Sequence, residues 1–579
     1  MTVFEHYDPF ARQLADLLVR LMPDTPLDVL TELRRLVYFL AEQTQAGIIA
    51  APLNDLKPEL NKALIENLPV VGKPSDKKPL IVSDTHAWFY RYWQYEHELG
   101  QALKPLLQPI IAPAQLKEAL NKLFNTTQTD WQKIATALAL NQRFMIISGG
   151  PGTGKTTTVT RILALLLQLP DINPKRIQLA APTGKAAMRL QESIQLAQQR
   201  LNVSGLIREQ LKIPSQTLHR LLGYRPATNT FSYHRECPLP VDVLVIDEAS
   251  MMDIALMTKV LAALPNTARL ILLGDKDQLA AVETGSVFRD LCAQANNHFS
   301  PKIAQLLKPF DIHLPSHLGV EGLNDHIVIL EQSYRFNTTA GIGQLAQAIK
   351  TANLKQLSEV LHGTDEALEW INQDSLASEE LIAGWQDYFE AVEQGDVEAC
   401  FQAFNRFRIL APMRQGVRGT ELLNNKIEQL ASKRLPNTFG SLRAQGWYVG
   451  RPVMVTKNDY VQHLFNGDIG IALNDAAGQL RVYFPDTQSG KYRSITPVRL
   501  PLFDSAWAMT IHKSQGSEFD EVLLIMPDST EHSLLGRELL YTGVTRARHK
   551  LRLLASLEVL AVALQRSTPP SSRILDWLK

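Results

Sequence analysis

A glycine-rich turn between two apolar runs places the strongest constraint on the fold. Residues 144–167 read FMIISGGPGTGKTTTVTRILALLL, with a short apolar run before the glycines and a long one after them. A short apolar run favours a buried strand, a long one favours a helix, and the glycines favour a tight turn. Strand, turn and helix in this order begin a parallel α/β unit. We therefore expect a parallel sheet here.

The same alternation continues along the chain. Between residues 144 and 335 the β-rich runs are FMII, IQLAAP, VDVLVID and LILLGD, each followed by a turn and a helix-like segment. A second series contains FRILAP (407–412), EVLLIMP (521–527) and HKLRLLAS (549–556). This pattern is typical of a parallel sheet with crossover helices. The sequence thus predicts an α/β fold with two similar units.

The segments outside these two units show different residue patterns. Residues 4–66 carry apolar side chains at helical spacing, and residues 436–500 contain short β-like pieces between Gly, Asn and Asp turns. They predict a helical domain and a small β-barrel inserted into the second α/β unit. The predicted domains are residues 1–112 (N-terminal helical domain, for partner docking), 113–340 (first α/β unit), 341–435 with 501–579 (second α/β unit) and 436–500 (β insertion).

Residues 86–103, HAWFYRYWQYEHELGQAL, are unusually aromatic. Their pattern predicts one helix that is mostly buried. Its main stripe comprises Trp88, Tyr92, Tyr95 and Leu99. The aromatics together with Arg91 could stack on nucleic-acid bases, or they could form core or a partner-docking face. The second interpretation is favoured because Trp and Tyr are common at interfaces of every kind.

Composition excludes several protein classes. Lys and Arg total 59, as do Asp and Glu, so the chain has no global positive field of the kind that histone-like proteins use. A local nucleic-acid groove remains possible, since it needs few cations. The three cysteines are far apart and form no CxxC pair, which predicts neither a disulfide framework nor a zinc site. With no signal peptide or membrane span evident, we expect a cytoplasmic protein.

The turn GGPGTGKT has the full GxxxxGK[ST] pattern between a strand and a helix. Its glycines let several backbone N–H groups point at one polyphosphate, and the helix N-terminus adds partial positive charge. Lys155 supplies a full charge, and the Thr156 hydroxyl is suited to Mg²⁺. The sequence therefore predicts a nucleoside triphosphate site. The predicted nucleotide-binding residues are Gly149, Gly150, Pro151, Gly152, Thr153, Gly154, Lys155, Thr156 and Thr157.

Carboxylate, amide and arginine side chains follow the later motifs. In VLVIDEAS, Asp247 is a candidate Mg²⁺ ligand and Glu248 a candidate group to polarise the attacking water. Gln278 lies just beyond another strand end, where an amide can sense the γ-phosphate. Arg335 and Arg546 lie in LEQSYRF and LLYTGVTRARHK and are candidate arginine fingers. We predict Lys155, Glu248, Gln278, Arg335 and Arg546 as the catalytic set.

These motifs together resemble a known family. They are GGPGTGKTTTV, AAPTGKAAMRL, TLHRLLG, VLVIDEASMMD, LLGDKDQLAAVETGSVF, LEQSYRF, LAPMRQGVRGT, TIHKSQGSEFDEV and LLYTGVTRAR. Their order is that of superfamily 1 helicases. Residues 130–555 resemble the RecD family, the alpha subunits of exodeoxyribonuclease V. The resemblance implies an ATP-dependent DNA helicase with two RecA-like P-loop domains around a shared ATP and Mg²⁺ site. The β insertion would be an SH3-like module.

The resemblance also assigns roles to single residues. Gln132, before the glycine-rich turn, matches the glutamine that reads adenine, and Gly516 and Glu518 match further nucleotide contacts. The residues that match DNA contacts are Thr183, His219, Thr510, His512 and Lys513. Such donors position a strand without reading its sequence. The family further implies 5′→3′ movement on single-stranded DNA, beta and gamma subunits (RecB and RecC) as partners, and nuclease activity in the beta subunit.

Three alternatives remain open at this point. A stand-alone Pif1-like helicase would share the motif set and unwind 5′-tailed duplexes without partners. An interaction subunit with a decayed ATPase would lack DNA-stimulated hydrolysis, although Lys155, Asp247, Glu248 and Arg546 are intact. A P-loop regulatory ATPase would bind no single-stranded DNA at low salt.

Overall fold

The computed structural model describes residues 8–110, 113, 116–124, 130–280, 284–314, 319–334, 341–372, 377–435, 446–459, 461–486 and 491–578. Within these residues the architecture is α/β, with two parallel sheets and an antiparallel sheet attached to the second. None of the described helices is long and apolar enough to cross a membrane.

The N-terminal region, residues 8–110, contains helices and a small sheet. Its helices are α1 (Pro9–Arg20), α2 (Leu27–Gln45), α3 (Lys62–Ile65) and α4 (Tyr90–Leu103). Its strands are β1 (Ala51–Pro52), β2 (Val71–Gly72), β3 (Leu80–Val82) and β4 (His86–Phe89), in the order β1-β4-β3-β2. The all-helical prediction missed this sheet because its strands are only two to four residues long.

The aromatic segment therefore divides between two elements. Trp88 lies on β4, paired with Ile81, rather than on the predicted helix. Trp93 and Leu99 are buried on α4, and Tyr95 packs against the same core as the helix Ile254–Ala263. Arg91 lies over the ring of Tyr95 at 5.5 Å from its centroid. These contacts support the packing interpretation of the aromatics over base stacking.

The first lobe, residues 116–334, is built on a parallel sheet. Its helices are α5 (Leu116–Leu123), α6 (Trp131–Asn141), α7 (Lys155–Leu166), α8 (Gly184–Arg200), α9 (Gly205–Gln210), α10 (Leu218–Leu221), α11 (Ile254–Ala263), α12 (Val287–Leu291) and α13 (Pro301–Leu307). Its strands are β5 (Phe144–Gly149), β6 (Ile177–Ala181), β7 (Ser215–Thr217), β8 (Tyr224–Arg225), β9 (Thr230–Phe231), β10 (Val243–Ile246), β11 (Arg269–Gly274) and β12 (Ile327–Leu330). The sheet order is β12-β5-β11-β10-β6-β7, and β8 pairs with β9 as a separate hairpin.

Both faces of this sheet are covered. On β5, Met145 and Ile147 belong to one core cluster, while Phe144 and Ile146 belong to the other. Successive side chains on a strand point to opposite faces, so a continuous apolar strand needs helices on both sides. The apolar run that opens the glycine-rich motif is therefore a central strand, and the turn after it lies at the carboxyl edge of the sheet, where α/β proteins bind ligands.

The second lobe comprises the remaining elements except the insertion sheet described below. Its helices are α14 (Gly341–Lys350), α15 (Leu354–Leu361), α16 (Ser378–Ile382), α17 (Gln386–Gln394), α18 (Val397–Arg406), α19 (Thr420–Arg434), α20 (Arg537–Val544) and α21 (Leu557–Gln565). Its strands are β13 (Leu368–Ile371), β14 (Phe407–Ala411), β20 (Ala508–Thr510), β21 (Phe519–Ile525) and β22 (Ala547–Leu554), all parallel in the order β13-β22-β21-β14-β20. The prediction of a second α/β unit is confirmed.

The insertion sheet is antiparallel. Its strands are β15 (Pro452–Val455), β16 (Ile469–Asn474), β17 (Leu480–Asp486), β18 (Lys491–Ile495) and β19 (Phe503–Ser505), in the order β18-β17-β16-β15-β19. Since β19 pairs with β15, the sheet continues past residue 500. It shares a hydrophobic core with the second lobe, in which Trp507 and Trp385 are fully buried with ring centroids 4.9 Å apart.

The C-terminal segment returns to the first lobe. After α21, Ser571 donates from Oγ to Asp290 Oδ2 at 2.6 Å, and its carbonyl accepts from the backbone N of Ile49 at 2.8 Å. The last helix, α22 (Ile574–Trp577), places Trp577 against Gly100 of α4. The end of the chain thus connects the second lobe to both the first lobe and the N-terminal region.

Candidate active site at the cleft between the lobes

The glycine-rich turn connects β5 to α7 at the centre of the first sheet. Gly152 and Gly154 have φ of 75° and 85°, in the left-handed region that favours glycine. Thr153 Oγ1 donates to Gly150 O at 2.9 Å, which closes the turn. The N-terminus of α7 then begins at Lys155, so its free N–H groups face the turn. This is the cradle that the sequence predicts for a polyphosphate.

Lys155 folds over this turn. Its Nζ donates to the carbonyl oxygens of Gly149 at 2.5 Å and Gly150 at 3.1 Å. Thr156 and Thr157 follow in the first turn of α7, where both are half-buried. The ammonium group is thus bound to two neutral carbonyl oxygens of the turn, which an anionic ligand can replace.

Gln132 of α6 contacts the glycine-rich turn. Its Nε2 donates to Thr153 O at 3.0 Å, and its Oε1 accepts from Arg161 Nη1 at 2.8 Å. A Cβ on Gly154 would collide with the Gln132 amide, which is a second reason for glycine there. The structure therefore brings Gln132 to the nucleotide turn, with both ends of its amide engaged by protein groups.

Asp247 and Glu248 follow β10, two strands away from β5. Glu248 donates from its backbone N to Asp247 Oδ1 at 2.8 Å and has a φ of 53°. A left-handed conformation is strained for a residue with a Cβ, and such strain is concentrated at functional sites. Desolvation, and then the charge of Glu248, raise the pKa of Asp247 to about 7, against the opposing charge of Lys155. Burial of the carboxylate is thus the larger cause of the raised pKa, and a cation placed beside it would oppose the shift.

Gln278 follows β11, which lies between β5 and β10. Its Nε2 donates to Asp275 Oδ2 at 2.9 Å, and both residues are buried. Its Oε1 accepts from Arg546 Nη2 of the second lobe at 2.7 Å. Because β5, β11 and β10 are neighbours in the first sheet, the turn, the two carboxylates and Gln278 lie at the same edge of that sheet. Arg546 contacts this edge from the other lobe.

Arg546 follows α20 and is 2% exposed. Its Nε donates to Thr542 O at 3.1 Å and its Nη1 to Ser517 O at 3.0 Å. Together with Gln278, its hydrogen-bond partners among the described residues are all neutral oxygens. A buried guanidinium without a carboxylate keeps its charge uncompensated and favours the approach of an anion. Arg335, the other predicted finger, lies outside the described residues.

Further contacts hold the lobes together around this point. Thr542 Oγ1 accepts from the backbone N of Leu279 at 2.7 Å, and Gln515 Nε2 donates to Leu279 O at 2.7 Å. Arg189 of α8 donates from Nη1 to Gly516 O at 2.5 Å. The lobes therefore meet along the segment after β11. Of the two predicted nucleotide contacts in the second lobe, Gly516 lies directly in this interface.

Glu518, the second of these contacts, is engaged within its own lobe. It accepts from Arg548 Nε and Nη2, each at 3.2 Å. The same Arg548 is partly exposed, as is usual for a surface ion pair.

The site fits ATP and a divalent cation. The left-handed glycines, the free helix N-terminus and Lys155 match the requirements of a polyphosphate. Magnesium takes few protein ligands and prefers oxygen, which the Thr156 hydroxyl and Asp247 carboxylate supply. The raised pKa of Asp247 is what a cation at this carboxylate would reverse. Among the described residues no cluster of three or more His, Cys, Asp or Glu side chains is placed to hold a metal.

The predicted DNA-contacting residues lie at the carboxyl ends of other strands. In the first lobe, Thr183 follows β6, where its Oγ1 accepts from Ala186 N at 3.2 Å, and His219 follows β7, edge-on to Tyr224. His219 is exposed over part of its surface; desolvation of the part that is packed, then the charge of Lys259, lower its pKa. The first-lobe set is therefore on the same edge as the nucleotide site but farther along the sheet.

The second-lobe set follows β20. Thr510 ends that strand and its Oγ1 accepts from Lys513 N at 3.3 Å. Lys513 is exposed and forms an ion pair with Asp504 at 3.1 Å. His512 lies between them, and burial lowers its pKa. The three residues are close together, although the structure gives no contact between them and Thr183 or His219.

Comparison with known proteins agrees with this geometry. Residues 132–284 match a family model described as an AAA domain, and residues 505–554 match the UvrD-like helicase C-terminal domain. The RecBCD enzyme subunit RecD of Haemophilus influenzae is 35% identical over 518 residues, which cover 84% of this chain and 79% of that protein. The chain belongs to the RecD family.

Two other RecD-related proteins are also similar. The RecBCD enzyme subunit RecD of Mycolicibacterium smegmatis is 35% identical over 518 residues, covering 88% of this chain and 84% of that protein. The ATP-dependent RecD2 DNA helicase of Deinococcus radiodurans is 33% identical over 410 residues, covering 70% of this chain and 46% of that protein. Membership of the RecD family makes this chain an ATP-dependent helicase.

Solved structures of helicases are also similar to parts of this chain. Bacteroides Pif1 bound to single-stranded DNA has a TM-score of 0.38 and 18% identity, over 75% of this chain and 94% of that one.

Sequence reasoning missed several residues of this RecD-family site. Tyr541 and Thr542 lie inside the motif that supplied Arg546, and Asp275 lies inside the motif that supplied Gln278. Gln515 precedes the predicted contact Gly516. Their position inside the quoted motifs was the available signal. Their contacts join residues more than 230 positions apart, so a single sequence does not pair them.

Proposed function

We propose that this chain is an ATP-dependent 5′→3′ translocase and helicase subunit of a RecBCD-type exodeoxyribonuclease V, acting in double-strand break processing and recombinational repair. The observation that carries the proposal is the buried guanidinium of Arg546, which reaches Gln278 of the first lobe with no carboxylate among its described partners. A hydrolytic switch needs a positive charge from one lobe at the phosphates held by the other.

Each residue of the cleft has a distinct task. Lys155 and the N–H groups of the turn hold the β- and γ-phosphates. Gln132 matches the family's adenine-reading glutamine, and its amide exchanges its present contacts with Thr153 O and Arg161 when it binds adenine. Thr156 and Asp247 would hold Mg²⁺, and the ion would supply positive charge that neutralises the phosphates. Glu248 accepts a hydrogen bond from the attacking water, and its left-handed backbone conformation is the kind of strain found at functional sites.

Gln278 and Arg546 couple this chemistry to motion. Both side chains are buried and bound to each other in the present state. ATP offers them a stronger partner, the γ-phosphate, and loss of that phosphate restores the original contact. The relative position of the lobes therefore follows the chemical state of the nucleotide through differential contacts.

DNA-contacting groups on both lobes convert that motion into travel. Thr183 and His219 lie on the first lobe, and Thr510, His512 and Lys513 on the second. Hydroxyl, imidazole and ammonium groups contact phosphates independently of sequence. If each lobe holds the strand in turn while the cleft opens and closes, one ATP moves the protein along the strand. The 5′→3′ direction is taken from the family.

The partners and the domain limits also belong to this proposal. Relatives named as RecD subunits of RecBCD enzymes support RecB and RecC as partners. The N-terminal domain, residues 1–112, is the docking unit, and the two motor domains, residues 113–340 and 341–435 with 501–579, are RecA-like. The insertion, expected at residues 436–500 and extended by β19 to Ser505, is SH3-like, which the antiparallel strand order supports.

Replacement of Lys155 tests the proposal. We expect Lys155→Gln to abolish DNA-stimulated ATP hydrolysis and unwinding of a 5′-tailed duplex, while co-purification with RecB and RecC persists. Lys355→Gln on α15 is the matched control, because its exposed ammonium pairs only weakly with Glu359 at 3.9 Å. Wild-type turnover in Lys155→Gln would refute the site. Full unwinding by the isolated chain without stable subunit association would favour a stand-alone helicase.

A further inference from the structure

One carboxylate oxygen at the lobe interface accepts two hydrogen bonds from different lobes. Asp275 Oδ2 accepts from Gln278 Nε2 at 2.9 Å and from the Tyr541 hydroxyl at 3.2 Å. Its other oxygen, Oδ1, accepts from the backbone N of Asp277 at 3.1 Å. Asp275 and Tyr541 are each 3% exposed. The carboxylate is therefore held by its own loop and by one side chain of the second lobe.

Tyr541 also lies against the nucleotide turn. A Cβ built on Gly150 would be 2.8 Å from the Tyr541 hydroxyl oxygen, so the phenol covers one side of the turn. Lys350 Nζ lies over the Tyr541 ring, 5.8 Å from its centre. Burial, and then the charge of Asp275, raise the pKa of Tyr541 far above its ordinary value. The phenol thus stays protonated and donates at any physiological pH.

These contacts fix the orientation of the Gln278 amide. Its NH₂ group donates to Asp275 while its oxygen accepts from Arg546. A flipped amide would place NH₂ against the guanidinium and oxygen against the carboxylate, two mismatched contacts in a buried site. Asp275 therefore decides which end of the amide faces the arginine, and Tyr541 holds Asp275.

We propose that Tyr541 is a positioning residue for ATP hydrolysis, acting through Asp275 to orient Gln278. This rests on the proposed function, because it assigns Gln278 to the γ-phosphate. Tyr541 and Arg546 both come from the end of α20, so a single movement of the second lobe sets the phenol and the guanidinium together. The amide is then correctly oriented only when the lobes are in contact, which suppresses hydrolysis in an open cleft.

The chemical step should be affected more than ATP binding. Tyr541→Phe keeps the ring and removes only the hydroxyl, which donates to Asp275 and is also the Tyr541 atom nearest Gly150. Loss of one hydrogen bond to a charged acceptor corresponds to about a tenfold change. We expect the kcat of DNA-stimulated ATP hydrolysis to fall about tenfold and the KM for ATP to stay within about twofold of wild type. A role in packing alone would change stability or KM and leave kcat unaltered.

Tyr388→Phe is the matched control. Its hydroxyl also donates within a buried site, to Gly450 O at 2.7 Å, but it lies in the core shared with the insertion sheet. Both variants lose one buried phenol hydrogen bond in the second lobe. We expect Tyr388→Phe to lower the melting temperature and to leave kcat at the wild-type value.

The Gln278→Ala protein tests whether Tyr541 acts on hydrolysis through Gln278. In Gln278→Ala protein, Tyr541→Phe should cause no further loss in single-turnover hydrolysis, since the amide it orients is absent. Asp275→Asn weakens both hydrogen bonds and should reproduce the kcat loss if Tyr541→Phe folds poorly. An unchanged kcat in Tyr541→Phe, or an equal loss with and without Gln278, would overturn the inference. If Lys155→Gln were instead fully active, the proposed function itself would fail.

Discussion

Arg546 Nη2 donates to Gln278 Oε1 at 2.7 Å, which joins two side chains that are 268 residues apart in sequence and belong to different lobes. Both were selected from sequence as groups that act on the γ-phosphate. In the present state each satisfies the other, so neither is left as an unpaired buried group. Under the proposed function, nucleotide binding would exchange this contact for contacts to phosphate, and the cleft would then have two alternative arrangements.

Removal of the guanidinium should separate ATP binding from hydrolysis. We expect Arg546→Ala to lower the kcat of DNA-stimulated ATP hydrolysis by about 10³, the lower range for an arginine finger. Nucleotide binding, followed with a fluorescent ATP analogue, should weaken far less. Arg552→Ala is the control, because Arg552 pairs with Glu369 on neighbouring strands of the second sheet. Equal loss in both variants would contradict the assignment.

Replacement of Glu248 should also affect ATP hydrolysis without preventing ATP binding. Glu248→Gln retains the size of the side chain and removes the charge that polarises water, so hydrolysis should fall at least about 10²-fold. ATP should remain bound, and the ATP-bound variant should hold single-stranded DNA longer than wild type. Glu236→Gln, an exposed position beyond the hairpin, serves as control. Hydrolysis at the wild-type rate in Glu248→Gln would exclude Glu248 as the base.

Local patterns predicted the elements of this site well. The strand, turn and helix around Lys155 form one contiguous motif. Asp247 follows a buried strand directly, and Gln278 lies in the short loop after another. Parallel strands with apolar side chains on both faces must have their carboxyl ends on one edge. Position at a strand end therefore sufficed to place these residues together in the first lobe.

Contacts between lobes and the N-terminal sheet were not predictable in the same way. The bond from Tyr541 to Asp275 depends on how two independently folded sheets dock, and no periodicity reports it. Trp88 was assigned to a helix because strands as short as β4 have no resolvable period. The strain at Glu248 also has no sequence signal, since only a backbone angle reveals it.

Replacement of Lys513 tests the proposed set of DNA-contacting residues. A lysine that contacts one phosphate of single-stranded DNA adds about 0.7 to the slope of log affinity against log salt. We expect Lys513→Ala to weaken binding of single-stranded DNA of any sequence and to reduce that slope by about this amount. Fluorescence anisotropy at several salt concentrations measures both. Lys355→Ala should leave the slope unchanged, and an unchanged slope in Lys513→Ala would remove Lys513 from the track.

A final prediction concerns the contact of the chain end with the N-terminal region. Glu96 of α4 is 0% exposed, accepts from Trp88 Nε1 at 2.9 Å, and also accepts from the backbone N of Arg573. Desolvation raises its pKa to about 7, although the hydrogen bonds from Arg573 and Trp88 oppose this, and the charge of Asp290 adds to it. Below about pH 7, Glu96 is therefore mostly protonated in the folded protein.

The sign of the pH dependence follows from this shift. A folded-state pKa above the unfolded one contributes stability that is complete below pH of about 4.5 and is lost as pH rises through about 7. Wild-type protein should thus melt at a lower temperature at pH 8 than at pH 6. Glu96→Gln stays neutral, so its melting temperature should fall less over the same range. Tryptophan fluorescence is a suitable probe because Trp88 and Trp577 lie beside this contact.

Two comparisons isolate the contribution of Glu96. Glu98→Gln, two residues further along α4 and exposed, should keep the wild-type pH dependence. His86, near Arg573, has a pKa lowered by burial, so its neutral form stabilises the fold as pH rises and partly offsets Glu96. The quantity to compare is therefore the difference between wild type and Glu96→Gln at each pH, in which the contribution of His86 cancels. Parallel melting curves for the two proteins from pH 6 to pH 8 would show that Glu96 does not titrate in this range.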